Sequence, residues 1–258
     1  MGRPKRAADR GVVYHVLNRA NARMTIFESD AEDAAFEQVL EQAVERTQTR
    51  LLAYCVMPTH WHLVVWPQED GELSRFMAWL TRTHTHRWHA QRHSAGTGHV
   101  YQGRFKSFPV QEDEHFYTLC RYVERNALRA NLVPRAEPWR WGSLQRWKSG
   151  TAKERAVLAA WPLPRWPGWV EHVNAAQTDA ELAAVRRSVQ RGNPFGTPSW
   201  CDEMVRRLGL ESTLRPQGRP KRHNNGSWHL FRAVPGTCSA RHLFRAALDE
   251  QTVTGLSP

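Results

Sequence analysis

Residues 51–67 of this 258-residue chain read LLAYCVMPTHWHLVVWP, two apolar runs separated by MPT at residues 57–59. Because proline and threonine interrupt the apolar pattern, the segment predicts two β-strands joined by a tight turn. Helices are predicted on both sides of this hairpin. Residues 30–47 and residues 72–91 repeat apolar side chains at the spacing of an amphipathic helix.

The segments further from the hairpin complete the order of elements. Residues 11–18, GVVYHVLN, and residues 100–110, VYQGRFKSFPV, have the composition of β-strands. Residues 113–130 are predicted to form a helix, since their acidic start suits the positive end of a helix dipole. The order strand, helix, strand, strand, helix, strand, helix predicts an α+β domain with a ferredoxin-like split βαβ core. We expect an antiparallel sheet with helices on one face.

The composition divides the chain into two regions. The first domain is expected to span residues 1–150. Residues 134–169 are rich in tryptophan and proline, which indicates a wrapping segment pinned by indole rings. Short helices are predicted at residues 178–191 and 199–208. We therefore expect residues 151–258 to be a basic, Trp/Pro-rich, mostly helical or irregular C-terminal extension with a DNA-binding tail.

The charge balance indicates the class of partner. The chain has 36 Lys and Arg against 25 Asp and Glu, a formal net charge of +11. This excess favours a polyanionic partner, most simply nucleic acid. The basic N-terminus is followed by no apolar stretch, and no apolar run is long enough to cross a membrane, so we expect a cytoplasmic, nucleoid-associated protein with no membrane partner. The four widely spaced cysteines argue against a disulfide scaffold or a zinc knot.

His60-Trp61-His62 is the sharpest local feature of the sequence. Side chains two apart on a strand point to the same face, so the two imidazoles could converge on one metal ion while Trp61 packs into the core. The alternative is a pair of structural or solvent-facing histidines. His84 and His86 have the same spacing but lie in a predicted helix, where they diverge, and a solvated polar face is expected there.

Tyr122 and Asn126 form the second candidate pair. Their i, i+4 spacing puts them on the same face of a helix, from which Tyr122 could present its hydroxyl to a metal site and Asn126 its amide oxygen as a third ligand. The alternative is that Tyr122 is part of the core and Asn126 an ordinary polar helix residue. Asparagine has poor helix propensity, which slightly favours the functional interpretation.

The two pairs together suggest one mechanism. A divalent ion held by two neutral imidazoles and an amide oxygen would polarise a phosphodiester and offset the charge on its oxygens. A phenol needs activation by its surroundings before it acts as a nucleophile. Its attack on phosphorus would leave a phosphotyrosine and a free 3′-hydroxyl, so rejoining the strand would need no ATP.

Several motifs resemble one family. The stretch MPTHWHLVV resembles the His-hydrophobe-His motif of the single-tyrosine HUH transposases. RYVERNALRANLV at residues 121–133 is similar to the nucleophile helix of their REP-associated tyrosine transposase branch, the relatives of the IS200/IS605 insertion-sequence transposases. YHVLNRANARMTIF and VYQGRFKSFPV also resemble this branch, and the resemblance covers residues 3–148.

The resemblance implies a role for each candidate. Tyr122 would be the nucleophile, His60 and His62 the metal ligands, and Asn126 the third ligand. It also implies a ferredoxin-like core, Mg²⁺ or Mn²⁺ as the divalent metal, and cleavage of single-stranded DNA near the foot of a hairpin. Where the family tends to have Asn-Pro-Val-Arg-Ala-Gly, this chain has NALRAN at residues 126–131.

Basic side chains are the candidates for DNA contacts. Arg104 and Lys106 alternate around Phe105 and are expected to share one face of a strand. The segment Gly218-Arg219-Pro220 resembles the core of minor-groove AT hooks and lies in an acid-free part of the chain. Simple solvation is the alternative for any one of these side chains. The remaining candidates are Arg19, Arg23, Arg3, Lys221 and Arg222.

The expected function is a metal-dependent single-stranded DNA endonuclease and strand transferase that acts on hairpin-forming repeats. Two other functions stay open at this point. One is a non-catalytic regulator that binds hairpin DNA with the same fold. The other is a metal-dependent nuclease that uses water as its nucleophile, with Tyr122 structural. The protein is expected to act as a monomer or a homodimer.

Overall fold

Four antiparallel strands form one sheet in a computed structural model that describes residues 8–215. The order across the sheet is β2-β3-β1-β4, the order of a ferredoxin-like fold. β1 pairs with both β3 and β4, and the predicted hairpin forms from β2 and β3. The strand bounds are β1 Val13–Arg19, β2 Arg50–Met57, β3 His60–Trp66 and β4 Lys106–Val110.

The helices agree with the predicted order, and the first two have the predicted bounds. α1 is Asp30–Thr47 and α2 is Glu72–Gln91. The helix predicted for residues 113–130 is divided at Arg125 into α3 and α4. The later helices are short, apart from α8 and α9. The remaining bounds are α3 Glu114–Glu124, α4 Asn126–Arg129, α5 Ser143–Ser149, α6 Ala152–Arg155, α7 Trp169–Asn174, α8 Asp179–Arg191, α9 Pro198–Leu208 and α10 Glu211–Leu214.

The sheet has a hydrophobic core on each face. α1 and α2 cover one face, as a split βαβ core predicts, and Trp61 is fully buried there. The expectation that helices lie on one face only is wrong for the rest of the chain. α3 packs on β2 and β3 from the opposite side, and side chains of α5, α7 and α8 join the second core. The strands can support two cores because alternate side chains point to opposite faces.

The Trp/Pro-rich segment of residues 134–169 is held to the sheet by indole rings, as its tryptophan content predicted. Trp161 donates its Nε1 hydrogen to the carbonyl of Leu52 at 2.7 Å, and Trp139 donates to the carbonyl of Val56 at 2.9 Å. Residues 8–215 belong to one compact unit. The boundary near residue 150 stays a prediction, as does the tail, which lies outside the described residues. No helix among residues 8–215 is long and apolar enough to cross a membrane.

The segment before β4 differs from the predicted strand. The strand was expected to begin near residue 100, but it begins at Lys106. Tyr101 forms only an isolated bridge with Ala20. Its side chain is buried, where its hydroxyl accepts from Trp61 Nε1 at 3.0 Å and shares a 2.7 Å hydrogen bond with His84 Nδ1. These bonds hold the segment against α2 and out of the sheet.

His84 contradicts the expectation of a solvated polar face, whereas His86 is exposed as expected. It is only 5% exposed. On α2 it continues the buried line of Leu73, Met77 and Leu80, which the 3.6-residue helical repeat turns toward the sheet. A histidine on an apolar face is tolerated here because Tyr101 provides a hydrogen-bond partner.

The Tyr101→Phe variant is expected to lower the free energy of unfolding by about 1–3 kcal/mol. It leaves the buried Trp61 and His84 nitrogens without their shared partner. Tyr117→Phe is the matched control, since the Tyr117 hydroxyl donates to the carbonyl of Pro164 in an exposed position and its loss should cost less. Urea unfolding of the three proteins measures both effects, and equal losses would contradict the assigned role of Tyr101.

The stability of the protein should fall as the pH decreases below 6.5. Burial lowers the pKa of His84 to about 3 in the folded protein. In the unfolded chain the same side chain binds a proton near pH 6.5, so protonation at lower pH favours the unfolded state. Such a group costs about 1.4 kcal/mol for each pH unit below 6.5. Urea unfolding at several pH values should show a shallower pH dependence in His84→Gln. Tyr101→Phe keeps the imidazole and should retain the steeper dependence, and the same slope in all three proteins would refute the prediction.

Candidate active site

The two histidines of β3 share one face of the sheet. Their ring centroids are 5.1 Å apart, with the rings nearly perpendicular. Trp61 between them points to the opposite core. In the register of the sheet, His60 lies opposite Arg19 of β1 and His62 lies opposite Leu17. The strand therefore presents the histidine pair as the alternation of its side chains predicts.

Each imidazole of the pair has one nitrogen engaged in a hydrogen bond. His60 Nδ1 lies 3.0 Å from Thr59 Oγ1. His62 Nδ1 lies 2.9 Å from Nε2 of His15, a buried residue of β1. Nε2 is thus the nitrogen of each ring that is left for a ligand. Residues that fix the other nitrogen of a metal-binding imidazole commonly set its tautomer and orientation.

The histidine pair is neutral at physiological pH. Burial lowers the pKa of His60 to about 4, and the positive charges of Arg19 and Arg129 act in the same direction. Burial also holds the pKa of His62 well below its ordinary value, helped by His15 and His60. Because both rings are neutral, their lone pairs are available without the loss of a proton.

Tyr122 lies beside this pair. It belongs to α3, is 6% exposed, and its ring centroid is 5.8 Å from that of His62. α3 reaches this position because its apolar face packs on β2 and β3. The structure thus brings together His60, His62 and Tyr122, three of the residues that the sequence singled out.

Asn126 begins α4, and the i, i+4 relation to Tyr122 survives the break between the helices. Arg125 at the junction keeps backbone angles close to helical, with φ −84° and ψ 0°. Asn126 is 4% exposed, and its Oδ1 accepts a 2.6 Å hydrogen bond from Arg129. Its Nδ2 has no hydrogen-bond partner among the described residues. A buried amide nitrogen without a partner needs an explanation, and a functional role is one such explanation.

Ala127 and Asn131, which differ from the family pattern, are both compatible with the backbone conformation at their positions. Asn131 stands where that pattern has glycine, and its φ is +57°. Asparagine is one of the few residues besides glycine that readily adopts the left-handed region. Ala127 stands where the pattern has proline, within the first turn of α4, a position that does not require proline.

Arg129 and His15 are site residues that the sequence analysis did not single out. The guanidinium carbon of Arg129 lies 4.0 Å from the centroid of the Tyr122 ring. The spacing gave a signal, since Arg129 is three residues after Asn126 and seven after Tyr122, on the same helical face. For His15 the signal was weaker, because its contact with His62 depends on the pairing of β1 with β3.

The imidazole nitrogens and the amide oxygen at this site are donor types that bind divalent metals. Within residues 8–215, no group of three His, Cys, Asp or Glu side chains is arranged to hold a metal ion. His15 therefore does not complete a histidine triad, and a third protein ligand would come from another donor type. The carboxamide oxygen of Asn126 is such a donor, and an amide oxygen can accept from Arg129 and retain a second lone pair. Two imidazoles and an amide oxygen form an uncharged ligand set.

Three of the predicted DNA-binding residues line one cavity close to the histidine pair. Arg19, Arg104 and Lys106 surround a space of about 230 Å³. All three are exposed, and Arg104 precedes β4 without belonging to it. A larger groove of about 520 Å³ along α2 shares Arg104 and the neighbouring Gln102 with this cavity.

The other predicted DNA-binding residues are elsewhere. Arg23 is exposed on a 3-10 turn, Asn21–Arg23, and does not line either of these two cavities. The remaining candidates lie outside the described residues: Arg3, Arg219, Lys221 and Arg222.

Comparison with known proteins places this geometry in context. A family model described as "Transposase IS200 like" matches residues 10–126. Those residues contain the histidine pair, Tyr122 and Asn126. A comparison with curated proteins finds no match.

Two solved structures resemble the chain. One is a REP-associated tyrosine transposase bound to a REP hairpin, with 15% identity, a TM-score of 0.50, and coverage of 69% of this chain and 93% of the other. The second is a candidate transposase from Deinococcus radiodurans R1, with 16% identity, a TM-score of 0.34, and coverage of 51% and 92%. The first likeness shows a shared fold. Residues 10–126 of this chain, which include the candidate site, are similar to the IS200-like transposase family.

Proposed function

We propose that this transposase-family protein is a metal-dependent single-stranded DNA endonuclease and strand transferase that acts on hairpin-forming repeat DNA. The observation that carries the proposal is the 5.8 Å approach of the Tyr122 ring to His62, beside two neutral imidazoles whose Nδ1 atoms make their hydrogen bonds. A phenol and two imidazoles at this separation support a site in which all three act on one phosphodiester. A structural tyrosine would not need two imidazoles with free lone pairs beside it.

The proposed step is a transesterification at phosphorus. The hydroxyl oxygen of Tyr122 forms a bond to phosphorus, and the bond from phosphorus to the 3′ oxygen breaks. The phenol loses its proton and the leaving 3′ oxygen gains one, so the products are a 5′-phosphotyrosine and a 3′-hydroxyl. One phosphodiester replaces another, so a second DNA end can reverse the step without ATP.

His60, His62 and Asn126 would hold Mg²⁺ or Mn²⁺. When bound, the ion would polarise the phosphodiester and offset charge on its oxygens. The chain itself contributes the low pKa values that keep both imidazoles neutral and the hydrogen bonds that fix their Nδ1 atoms. Burial of Tyr122 and Asn126 limits the access of water to the attacking oxygen.

The basic cavity would bind the backbone of the single strand. Arg19, which lies opposite His60, lines this cavity with Arg104 and Lys106, and the structural neighbour with a bound REP hairpin makes hairpin DNA the substrate to test first. A basic C-terminal tail would add further phosphate contacts. A DNA substrate is consistent with the expected nucleoid-associated location, and the protein would act as a monomer or a homodimer.

A covalent adduct assay tests the nucleophile. The protein is incubated with a labelled hairpin oligonucleotide and Mn²⁺, and a denaturing gel should show DNA attached to the protein. Tyr122→Phe should abolish the adduct, because it removes the only atom that forms the new bond. Tyr117→Phe, five residues earlier on the same helix, is the control and should keep it.

The other outcomes of that assay identify the other functions. Persistent adduct in Tyr122→Phe would refute the nucleophile assignment. Cleavage without an adduct would indicate water as the nucleophile, and binding without cleavage would indicate a regulator. His62→Ala should lose cleavage while hairpin affinity stays within a few-fold, because phosphate contacts supply most of the affinity.

The salt dependence of binding tests the basic cavity. A variant with Gln at Arg19, Arg104 and Lys106 should reduce the slope of log K against log salt by about 2, since each phosphate contact to a single strand contributes about 0.7. A variant with Gln at Arg50, Arg75 and Lys153 removes the same charge from exposed positions that line neither cavity. Equal slopes in the two variants would show that net charge, and not the cavity, binds the strand.

A further inference from the structure

We propose that Arg129 is a positioning residue that orients both Tyr122 and Asn126 toward the histidine pair. The inference rests on the proposed function for the identity of the reaction. It adds a residue to which the sequence analysis gave no role. Its basis is that one side chain contacts both candidate residues.

Arg129 makes three contacts that together fix its own geometry. The guanidinium lies over the Tyr122 ring at 4.0 Å from the centroid. Nη1 donates to the backbone carbonyl of Tyr122 at 3.1 Å, and Nη2 donates to Asn126 Oδ1 at 2.6 Å. The planar fork of an arginine can make these contacts at once, whereas the point charge of a lysine cannot. The ring and the amide are therefore held relative to each other by one rigid group.

The contact with Asn126 also decides which way the amide faces. Arginine only donates hydrogen bonds, so the amide atom beside Nη2 must be the oxygen. The amide nitrogen is then left buried without a partner among the described residues. Without Arg129, no other hydrogen bond to the Asn126 side chain among the described residues would favour one orientation of the amide over its flipped form. Arg129 thus places the one atom of Asn126 that can act as a ligand.

Within the described part of the chain, Arg129 has no ion-pair partner. Among residues 8–215, no carboxylate lies within 4.0 Å of its guanidinium. A partly buried cation without a carboxylate is costly for stability alone. The cost is understandable if a phosphodiester completes the charge balance when DNA binds.

A purely structural role is the competing explanation, since Arg129 also caps the carbonyl of Tyr122 near the end of α3. Arg125 provides a matched control for that role. It too donates to backbone carbonyls, those of Val173 and Asn174, and among residues 8–215 its guanidinium contacts neither the Tyr122 ring nor the Asn126 amide. Loss of Arg125 should therefore affect packing without changing the site.

The test compares Arg129→Lys, Arg129→Ala and Arg125→Ala in the full chain. Arg129→Lys should lower the kcat of hairpin cleavage by about 100-fold, the cost of a small misplacement of reacting groups. Its KM should stay within a few-fold of the wild-type value. Free guanidinium ion should restore part of the activity of Arg129→Ala, whereas sodium chloride at the same ionic strength should not. Arg125→Ala should show neither the kcat loss nor the rescue.

A second measurement does not depend on activity. In protein with ¹³C-labelled tyrosine, the Tyr122 ring signals, assigned with Tyr122→Phe, should shift in Arg129→Lys, while those of Tyr14, Tyr54 and Tyr101 should stay in place. Shifted Tyr122 signals in a protein that never cleaves hairpins would support the positioning role and refute the proposed function. An unchanged kcat, or unchanged Tyr122 signals, in a folded Arg129→Lys protein would overturn the positioning role.

Discussion

The alternation of side chains along β3 is the constraint on which the site depends. It sends Trp61 into one core and the two histidines to the opposite face. A shift of one residue in the pairing of β3 would exchange these faces and bury a tryptophan where the imidazoles lie. The pairing with β1 on one side and β2 on the other prevents this shift. The chemistry of the site is therefore fixed by the same packing that fixes the fold.

Most of the fold could be predicted because its signals are local. The periods of apolar side chains gave the bounds of α1 and α2, and the order of elements gave the ferredoxin-like core. The errors arose where a partner distant in sequence decides the structure. Tyr101 leaves the predicted strand because its hydroxyl meets Trp61 and His84. The second layer of helices forms because the other face of the sheet is also apolar, which the pattern of the strands alone did not reveal.

The candidate site, like the fold, has parts that local spacing predicts and parts that depend on contacts between distant residues. The spacing of His60 with His62, and of Tyr122 with Asn126, is a property of one strand and one helical face, so the sequence could indicate both pairs. That Tyr122 meets His62 depends on the docking of α3 on the sheet, which the spacing within one element does not reveal. His15 enters through strand pairing, and Arg129 through the direction in which a long side chain folds back on its helix.

The electrostatics of the site follow from burial. Arg19 and Arg129 help to lower the pKa of His60, and within residues 8–215 neither of them forms an ion pair with a carboxylate, so protonated imidazoles would add to a positive region. Burial and these charges both favour the neutral rings. The candidate site thus combines neutral imidazoles with the positive charge of Arg19 and Arg129. A phosphodiester would suit this site under the proposed function, because its negative charge would balance the guanidinium groups. A neutral substrate would leave that charge uncompensated, so the arrangement itself favours a nucleic-acid backbone.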